Sequence, residues 1–151
     1  MRASDRRQHV KWLGQYRWRL WAVFTFRPGI RMKSARLLFR KWIYGVEMIE
    51  DRKLSWMAFP ERGDGDNLHF HVLLAGIGSR IYNHARQWNA LAGHCHILKY
   101  DPSHPGRDGQ AIPSAFRGMD YAMKSLRNDD YFFDGELHDM HLLPRFRKVR
   151  R

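Results

Sequence analysis

Two histidines separated by a single residue are the feature of the sequence that most directly indicates chemistry. His69 and His71 flank Phe70 within an apolar stretch, Leu68–Ala75, that we predict to be a strand. Because side chains alternate between the two faces of a strand, both imidazoles lie on one face and Phe70 points to the other, into the core. Two imidazoles on one face can chelate a divalent metal, although two ordinary surface histidines would satisfy the same spacing. A third ligand nearby is therefore needed to indicate a metal site.

Glu61 is the best candidate for that third ligand. It ends the preceding predicted strand, Leu54–Glu61, and a short turn of Gly, Asp and Asn residues leads from it towards His69. A hairpin would bring its carboxylate beside the imidazole and leave open positions on the metal for water and a phosphate oxygen. Mn²⁺ accepts such mixed nitrogen and oxygen ligation, and Mg²⁺ fits it less well. Asp64 and Asp66 compete for the third position, but their residue type is typical of a simple turn.

A tyrosine and a lysine three residues apart form a second candidate group. Tyr121 and Lys124 fall in a predicted helix over 115–127, capped by a serine, which places both side chains on one helix face. A tyrosine hydroxyl with its ordinary pKa of about 10 is a poor nucleophile, but a nearby cation or a metal-bound phosphate would help it to attack. Taken alone, this spacing also fits a structural role. Tyr100 and Tyr131 are alternative tyrosines, and each lacks a lysine three residues later.

A second His-x-His pattern competes for the metal. His94 and His96 flank Cys95 in another predicted strand, and a zinc-stabilised module built on these residues is an alternative hypothesis. This group lacks a nearby preceding carboxylate, and the thiol would face away from the two imidazoles. We therefore favour the site at His69 and His71.

The elements that must position these residues alternate between strand and helix patterns. Aromatic and β-branched runs bounded by turn signals predict strands, and apolar residues at helical spacing predict helices. We predict strands over 17–26, 54–61, 68–75, 94–100 and 131–133, the last followed by a turn at Asp134 and Gly135, with helices over 33–46 (reaching 50), 79–91 and 115–127. This order predicts an α+β fold, with a central antiparallel sheet of about five strands flanked by helices.

Charge is concentrated at the two ends of the chain. The 151 residues carry a net charge of +12, with 12 basic residues and one acidic residue over 1–41 and five basic residues over 145–151, whereas 42–144 has a net charge of −4. Basic ends around an acidic middle indicate a polyanionic partner, most simply nucleic acid. Aromatic residues interleave with the N-terminal basic ones and could pack or stack on bases: Trp12, Tyr16, Trp18 and Trp21.

Several function classes are excluded by composition. The single cysteine rules out an intramolecular disulfide and a four-thiolate zinc site. The longest apolar runs are far short of a membrane span, and no secretory leader pattern follows the charged N-terminus. No phosphate-binding glycine loop is present, so the chain should not hydrolyse nucleotides itself. We therefore expect a soluble protein of a reducing compartment.

Three motifs together resemble the HUH endonucleases, in particular the single-tyrosine rolling-circle replication initiators. Phe24-Thr25-Phe26 followed by Arg27-Pro28 is similar to the first motif of that family. His69-Phe70-His71, with Glu61 upstream, is similar to its metal motif, and Tyr121-Ala122-Met123-Lys124 to its nucleophile motif. The motifs occur in the family's order and span most of the chain.

The resemblance implies a fold, a reaction and partners. It implies a ferredoxin-like or RRM-like nuclease domain over 1–144, followed by a basic tail over 145–151 that need not be ordered. Tyr121 would attack a phosphodiester of single-stranded origin DNA, giving a 5′-phosphotyrosyl intermediate and a free 3′-hydroxyl, and the reverse reaction would join ends. A metal on Glu61, His69 and His71 would polarise the phosphate, and Lys124 would orient the reacting groups. A host helicase and polymerase would complete replication. The resemblance implies a cytoplasmic protein of a bacterial, phage or plasmid setting, or a nuclear one if a eukaryotic virus encodes it.

Residues near the first motif are the candidates for DNA contact. We expect Arg17, Arg19, Thr25, Arg27 and Lys33 to bind the strand. Two alternatives remain open at this stage. One is a single-tyrosine transposase of the same superfamily, which shares the motif order. The other is a non-catalytic module that binds single-stranded nucleic acid through charge and aromatic stacking alone.

Overall fold

The computed structural model describes residues 3–101 and 134–148, and within them strands alternate with helices. In chain order the elements are α1 (Ala3–Leu13), β1 (Leu20–Thr25), α2 (Met32–Glu50), β2 (Ser55–Arg62), β3 (Leu68–Ala75), α3 (Ile81–Leu91), β4 (Cys95–Lys99) and β5 (Asp134–Glu136), with short 3₁₀ turns at Asp64–Asp66, Asp139–His141 and Pro144–Phe146. The predicted helix over 115–127 and strand over 131–133 lie outside the described residues.

The described strands form one antiparallel sheet in the order β4-β1-β3-β2-β5. The predicted hairpin of β2 and β3 is confirmed, with Arg62 opposite Leu68 at the turn and Ser55 opposite Ala75 at the far end. Gly65 adopts a φ of +74° in that turn, a conformation that glycine reaches without a Cβ clash. The α+β class with an antiparallel five-stranded sheet is therefore confirmed for the described part of the chain.

Helices α2 and α3 cover one face of the sheet with an aromatic core. The ring of Phe24 on β1 makes edge-to-face contacts with Phe39, Trp42 and Trp88, at centroid distances of 5.1, 4.9 and 5.0 Å. Phe70 of β3 joins the same cluster, as its place between two histidines predicts. Edge-to-face packing of aromatic rings adds to the free energy that their burial contributes to folding.

Trp88 of α3 provides a direct test of that core. Its side chain is fully buried, and its indole Nε1 donates to the Thr25 carbonyl at 3.3 Å. We expect Trp88→Ala to lower the free energy of unfolding by about 3–5 kcal/mol, because it leaves a large cavity and removes a buried donor. Urea denaturation measures this. Tyr82→Ala on the same helix, where the side chain is exposed, is the control, and a loss below about 1 kcal/mol for Trp88→Ala would contradict this account of the core.

Helix α1 packs on the opposite face, and the sequence pattern did not predict it. Val10 and Leu13 are buried there against Met57 and Leu73. Trp18 closes this second core by donating its indole N–H to the Leu13 carbonyl at 2.7 Å. Most residues of α1 are polar or charged, so the apolar stripe of the helix is narrow. The helix is identified by its packing against the sheet and not by its sequence pattern. Trp18 therefore packs in the protein rather than presenting a face for a base.

The prediction of a turn at Asp134 and Gly135 is wrong, because both residues lie in β5 and pair with β2. The carboxylate of Asp134 accepts hydrogen bonds from Nε of Arg40 at 2.8 Å and from Nη2 of Arg40, and it lies 3.6 Å from Nε of Arg36. A Cβ on Gly135 would collide with Met57, so only glycine allows this close approach of strand and side chain. Contacts with Arg40 and with β2 thus hold an Asp-Gly pair, a sequence typical of turns, in an edge strand.

The Asp134 carboxylate should contribute stability that depends on pH. Burial alone would raise its pKa, but the hydrogen bond and charge of Arg40, with Arg36, lower the pKa below its usual value. A lowered folded-state pKa means that the contribution is present at neutral pH and is lost as pH falls through that value. We expect Asp134→Asn to destabilise the protein at pH 7 by an amount that shrinks below about pH 4. Urea melts at both pH values measure this, and a pH-independent difference would contradict it. The exposed Asp139→Asn is the control.

The basic C-terminal residues begin in an ordered turn. Pro144–Phe146 forms a 3₁₀ turn, and the Arg147 side chain donates to the carbonyls of Leu142 and Met140 at 3.1 and 3.0 Å. The Ser55 hydroxyl holds the segment that precedes this turn through a hydrogen bond of 2.8 Å with Nδ1 of His141.

Candidate metal centre

Three side chains converge at the hairpin end of β2 and β3. Glu61 lies directly opposite His69 in the register, and His71 is two residues further along β3. The Glu61 Oε2 atom lies 3.2 Å from Nε2 of His69 and also contacts Nε2 of His71. One ligand atom from each residue lies within 4.8 Å of the other two. The strand period and the hairpin register thus bring together the three residues that the sequence predicts as ligands.

The group is open on one side. The exposed fractions of the Glu61, His69 and His71 side chains are 33%, 23% and 5%, so the cluster passes from a buried imidazole to a partly exposed carboxylate. Two imidazole nitrogens and one carboxylate oxygen form a donor set that first-row divalent metals accept. A metal held by three protein ligands keeps positions free for water or a phosphate oxygen on the exposed side. The residues present therefore fit a divalent metal ion.

Two neighbours that the sequence analysis did not connect with the metal site contact the imidazoles. Trp21 of β1 stacks on His71, with ring centroids 5.9 Å apart and planes 14° from parallel. A Cβ on Gly63 would lie 3.3 Å from Cε1 of His69, so the glycine leaves room for that ring. The contact of Trp21 with His71 follows from the register of β1 against β3, which the sequence alone does not reveal.

The competing aspartate has another role in the turn. The carboxylate of Asp66 accepts a hydrogen bond from Arg62 at 2.8 Å on an exposed surface, and its φ is +61°. Aspartate tolerates this left-handed conformation better than most residues. Asp66 therefore fits the turn interpretation. The side chain of Asp64 lies outside those described.

The second His-x-His pattern does not form a single ligand group. Cys95 is buried in the core under α2 and α3, whereas the side chains of His94 and His96 are exposed on the other face. Burial raises the pKa of the Cys95 thiol to about 12, which disfavours the thiolate that zinc requires. Among the described residues, no metal-binding group includes these three, which argues against the zinc-module alternative.

The candidate DNA-binding residues lie at several places. Arg17 and Arg19 precede β1, and Thr25 and Arg27 lie at its C-terminal end. Lys33 lies on α2, which packs on the sheet face opposite His69 and His71. Arg17, Arg27 and Lys33 are exposed, and the Arg19 guanidinium donates to the carbonyl of Ile77 at 3.0 Å. Thr25 lies opposite His69 in the sheet and so borders the candidate metal centre.

The Thr25 hydroxyl is already used within the fold. It lies 3.1 Å from the carbonyl oxygen of His94, to which it donates, and accepts from the backbone N–H of the same residue at 2.9 Å. This pair of bonds ties β1 to the start of β4. Tyr121 and Lys124, the predicted nucleophile and its lysine, lie outside the described residues.

Comparison with known proteins adds no identification. No protein-family model, no curated protein and no solved structure matches the chain. In the described ranges, none of the helices combines the length and apolar character that crossing a bilayer demands.

Binding of a metal should be visible in the stability of the protein. An ion that binds only the folded state raises the free energy of unfolding by about 2.7 kcal/mol at a hundred times its dissociation constant. We expect MnCl₂ to raise the melting temperature of the wild type and to have little effect on Glu61→Gln, which keeps the side-chain shape but loses the charge. His96→Ala on the same sheet face is the control. Equal shifts in the wild type and Glu61→Gln would contradict the site.

Proposed function

We propose that this chain is a metal-dependent nuclease of the HUH type that nicks and rejoins single-stranded DNA to initiate rolling-circle replication. The observation that carries the proposal is the convergence of Glu61, His69 and His71 at the partly exposed hairpin end of β2 and β3, beside the segment that resembles the first family motif. The motif order in the sequence and the charge of +12 support it further.

The described residues would prepare the substrate phosphate. Glu61, His69 and His71 would hold the divalent ion, whose chemistry when bound is to act as a Lewis acid on a phosphate oxygen. Trp21 keeps the imidazole of His71 in one orientation by stacking on it. The hairpin carries all three ligands on paired strands, so their geometry is rigid before DNA arrives.

Tyr121 would supply the nucleophile in this proposal. Its hydroxyl oxygen attacks phosphorus, a tyrosyl–phosphate ester forms, and the bond from phosphorus to the 3′ oxygen breaks. The tyrosyl proton leaves and the departing oxygen gains one, so the strand ends in a 3′-hydroxyl. Attack by a 3′-hydroxyl reverses the step, and because one ester replaces another, joining needs no nucleotide. Lys124, three residues later in the sequence, would hold the phosphate or the phenolate oxygen.

The exposed basic residues would attract the strand to this face. Arg17 and Arg27 are exposed on segments that flank β1, and β1 lies next to the ligand-bearing β3. Phosphate contacts of this kind give salt-dependent affinity and position the strand without reading its sequence. Binding should therefore weaken steeply as salt rises.

The experiment that tests this proposal identifies the ends that cleavage creates. Single-stranded oligonucleotides from the cognate replicon, labelled at either end, are incubated with the protein and Mn²⁺ or with chelator. We expect a metal-dependent cut whose upstream fragment carries a 3′-hydroxyl that a polymerase extends, and whose downstream fragment stays with the protein. Free 5′-phosphates on the downstream fragment would indicate hydrolysis instead. Binding with no cut would support the non-catalytic module, and cuts at transposon ends instead of an origin would support the transposase.

A further inference from the structure

A regularly spaced row of side chains lies on the outward face of α2. Leu37, Lys41, Tyr44 and Met48 follow one another at steps of four, three and four residues. This is the spacing of the a and d positions of a coiled coil. The residues that α2 buries against the sheet lie on the opposite side of the helix: Ala35, Phe39, Trp42, Ile43 and Val46. We call the four outward residues the α2 seam.

The apolar members of the α2 seam are unusually exposed. Leu37, Tyr44 and Met48 have exposed fractions of 62%, 42% and 83%. One exposed apolar side chain is ordinary, but three in line on the solvent face of an amphipathic helix indicate a contact surface. A groove of about 580 Å³ lies at the C-terminal end of the seam, and its lining residues are Tyr44, Glu47, Met48, Asp51, Arg52 and Lys53.

Exposed charges around the α2 seam are mostly positive. Lys33, Lys41 and Arg52 are exposed along it, whereas Asp51 is the exposed acid at its C-terminal end. The helix's own glutamates do not offset this charge at the surface, because they are engaged inside the fold. Glu47 is buried and pairs with Lys53 at 3.0 Å, and Glu50 lies 2.9 Å from His84. The seam therefore combines an apolar row with a basic border.

We propose that the α2 seam docks an acidic amphipathic helix of a partner protein. The a/d spacing selects a helix as the partner's shape, and the basic border selects acidic flanking residues. A second copy of this chain fits less well, because its own basic border would oppose this one, and parallel pairing would place Lys41 against its copy. An acidic residue facing Lys41 would instead fix the register of the partner helix.

The position of the seam separates this docking from DNA chemistry. Helix α2 packs on the sheet face that carries Phe70, and the ligand group of His69 and His71 lies on the other face. A partner helix can therefore occupy the seam while DNA occupies the candidate metal centre. Substitutions in the seam should leave nicking unchanged.

The test uses a synthetic probe of the proposed chemistry. A fluorescein-labelled three-heptad peptide, with leucine at a and d and glutamate at the flanking e and g positions, is titrated with the full chain, and anisotropy is measured. We expect a dissociation constant of about 1–50 μM, at least tenfold weaker for the double variant L37E/M48E. Tyr82→Glu on α3, also an exposed site, is the matched control and should bind like the wild type. Circular dichroism verifies that both variants are folded.

Four outcomes would overturn the proposal. The first is no binding of the acidic peptide by folded protein, and the second is equal binding of a peptide with lysine at e and g. The third is concentration-dependent dimerisation abolished by L37E/M48E, which would assign the seam to a second copy. The fourth is binding to phosphatidylserine vesicles, but not to the peptide, that the same variant abolishes. That result would assign the seam to a membrane surface.

Discussion

Tyr121→Phe is expected to abolish covalent attachment of the protein to DNA while leaving oligonucleotide affinity unchanged. Phenylalanine keeps the ring but removes the oxygen that forms the tyrosyl–phosphate bond, so the rate of adduct formation should fall by about 10³-fold or more. Adduct formation is measured by the shift of a labelled oligonucleotide on a denaturing gel, and affinity by anisotropy in the presence of chelator.

The matched control for that variant is Tyr100→Phe. Tyr100 packs against the second core, and burial, with the charge of Asp101, raises its pKa to about 12. A phenol that is harder to ionise is a weaker nucleophile, so this variant should still form the adduct. Adduct formation by Tyr121→Phe at the wild-type rate would show that another residue attacks the phosphate.

His71→Ala should cause the second large loss. The imidazole of His71 is the most buried of the three candidate ligands and contacts the Glu61 carboxylate. Its removal takes away one of three protein ligands and leaves the carboxylate without that partner, so we expect nicking to fall by at least about 10²-fold. Stabilisation by Mn²⁺ should be lost together with activity, and calorimetric titration with Mn²⁺ measures the affinity directly.

A control substitution on the same sheet face tests whether the loss of nicking is specific to His71. His96→Ala removes an exposed imidazole from β4, two strands away from His71, and should leave both Mn²⁺ affinity and nicking unchanged. A His71→Ala protein that is folded, has lost Mn²⁺ binding and still nicks at the wild-type rate would separate the metal from the reaction. Such a result would remove the role assigned to the ligand group.

Strand β3 and the hairpin were predictable because local pattern and tertiary environment agree there. Leu68–Ala75 is bounded by turn residues, and both of its faces are covered, so its limits in the structure are those of the pattern. Helix α2 runs from Met32 to Glu50, so it begins one residue before the predicted start and reaches the further of the predicted ends. Elements without a strong local signal, α1 and β5, depend on contacts that only the folded chain makes.

The three ligands of the candidate site were predictable from the sequence, but their neighbours were not. The period of two along β3 places His69 and His71 together, and a short hairpin brings Glu61 opposite. The stacking of Trp21 on His71 depends on the pairing of β1 with β3, which no local pattern reveals. The same holds for the contact between Gly63 and the ring of His69, since it depends on the conformation of the turn.

The most direct test of the central claim is to locate the covalent bond on the wild-type protein. The protein is incubated with origin-derived single-stranded DNA and Mn²⁺, the adduct is digested with protease and nuclease, and the modified peptide is sequenced by mass spectrometry. The account predicts a nucleotide attached through a 5′-phosphate to Tyr121, and none when chelator replaces the metal. A nucleotide on another residue, or no adduct on DNA that the protein binds and that contains its own origin, would contradict it.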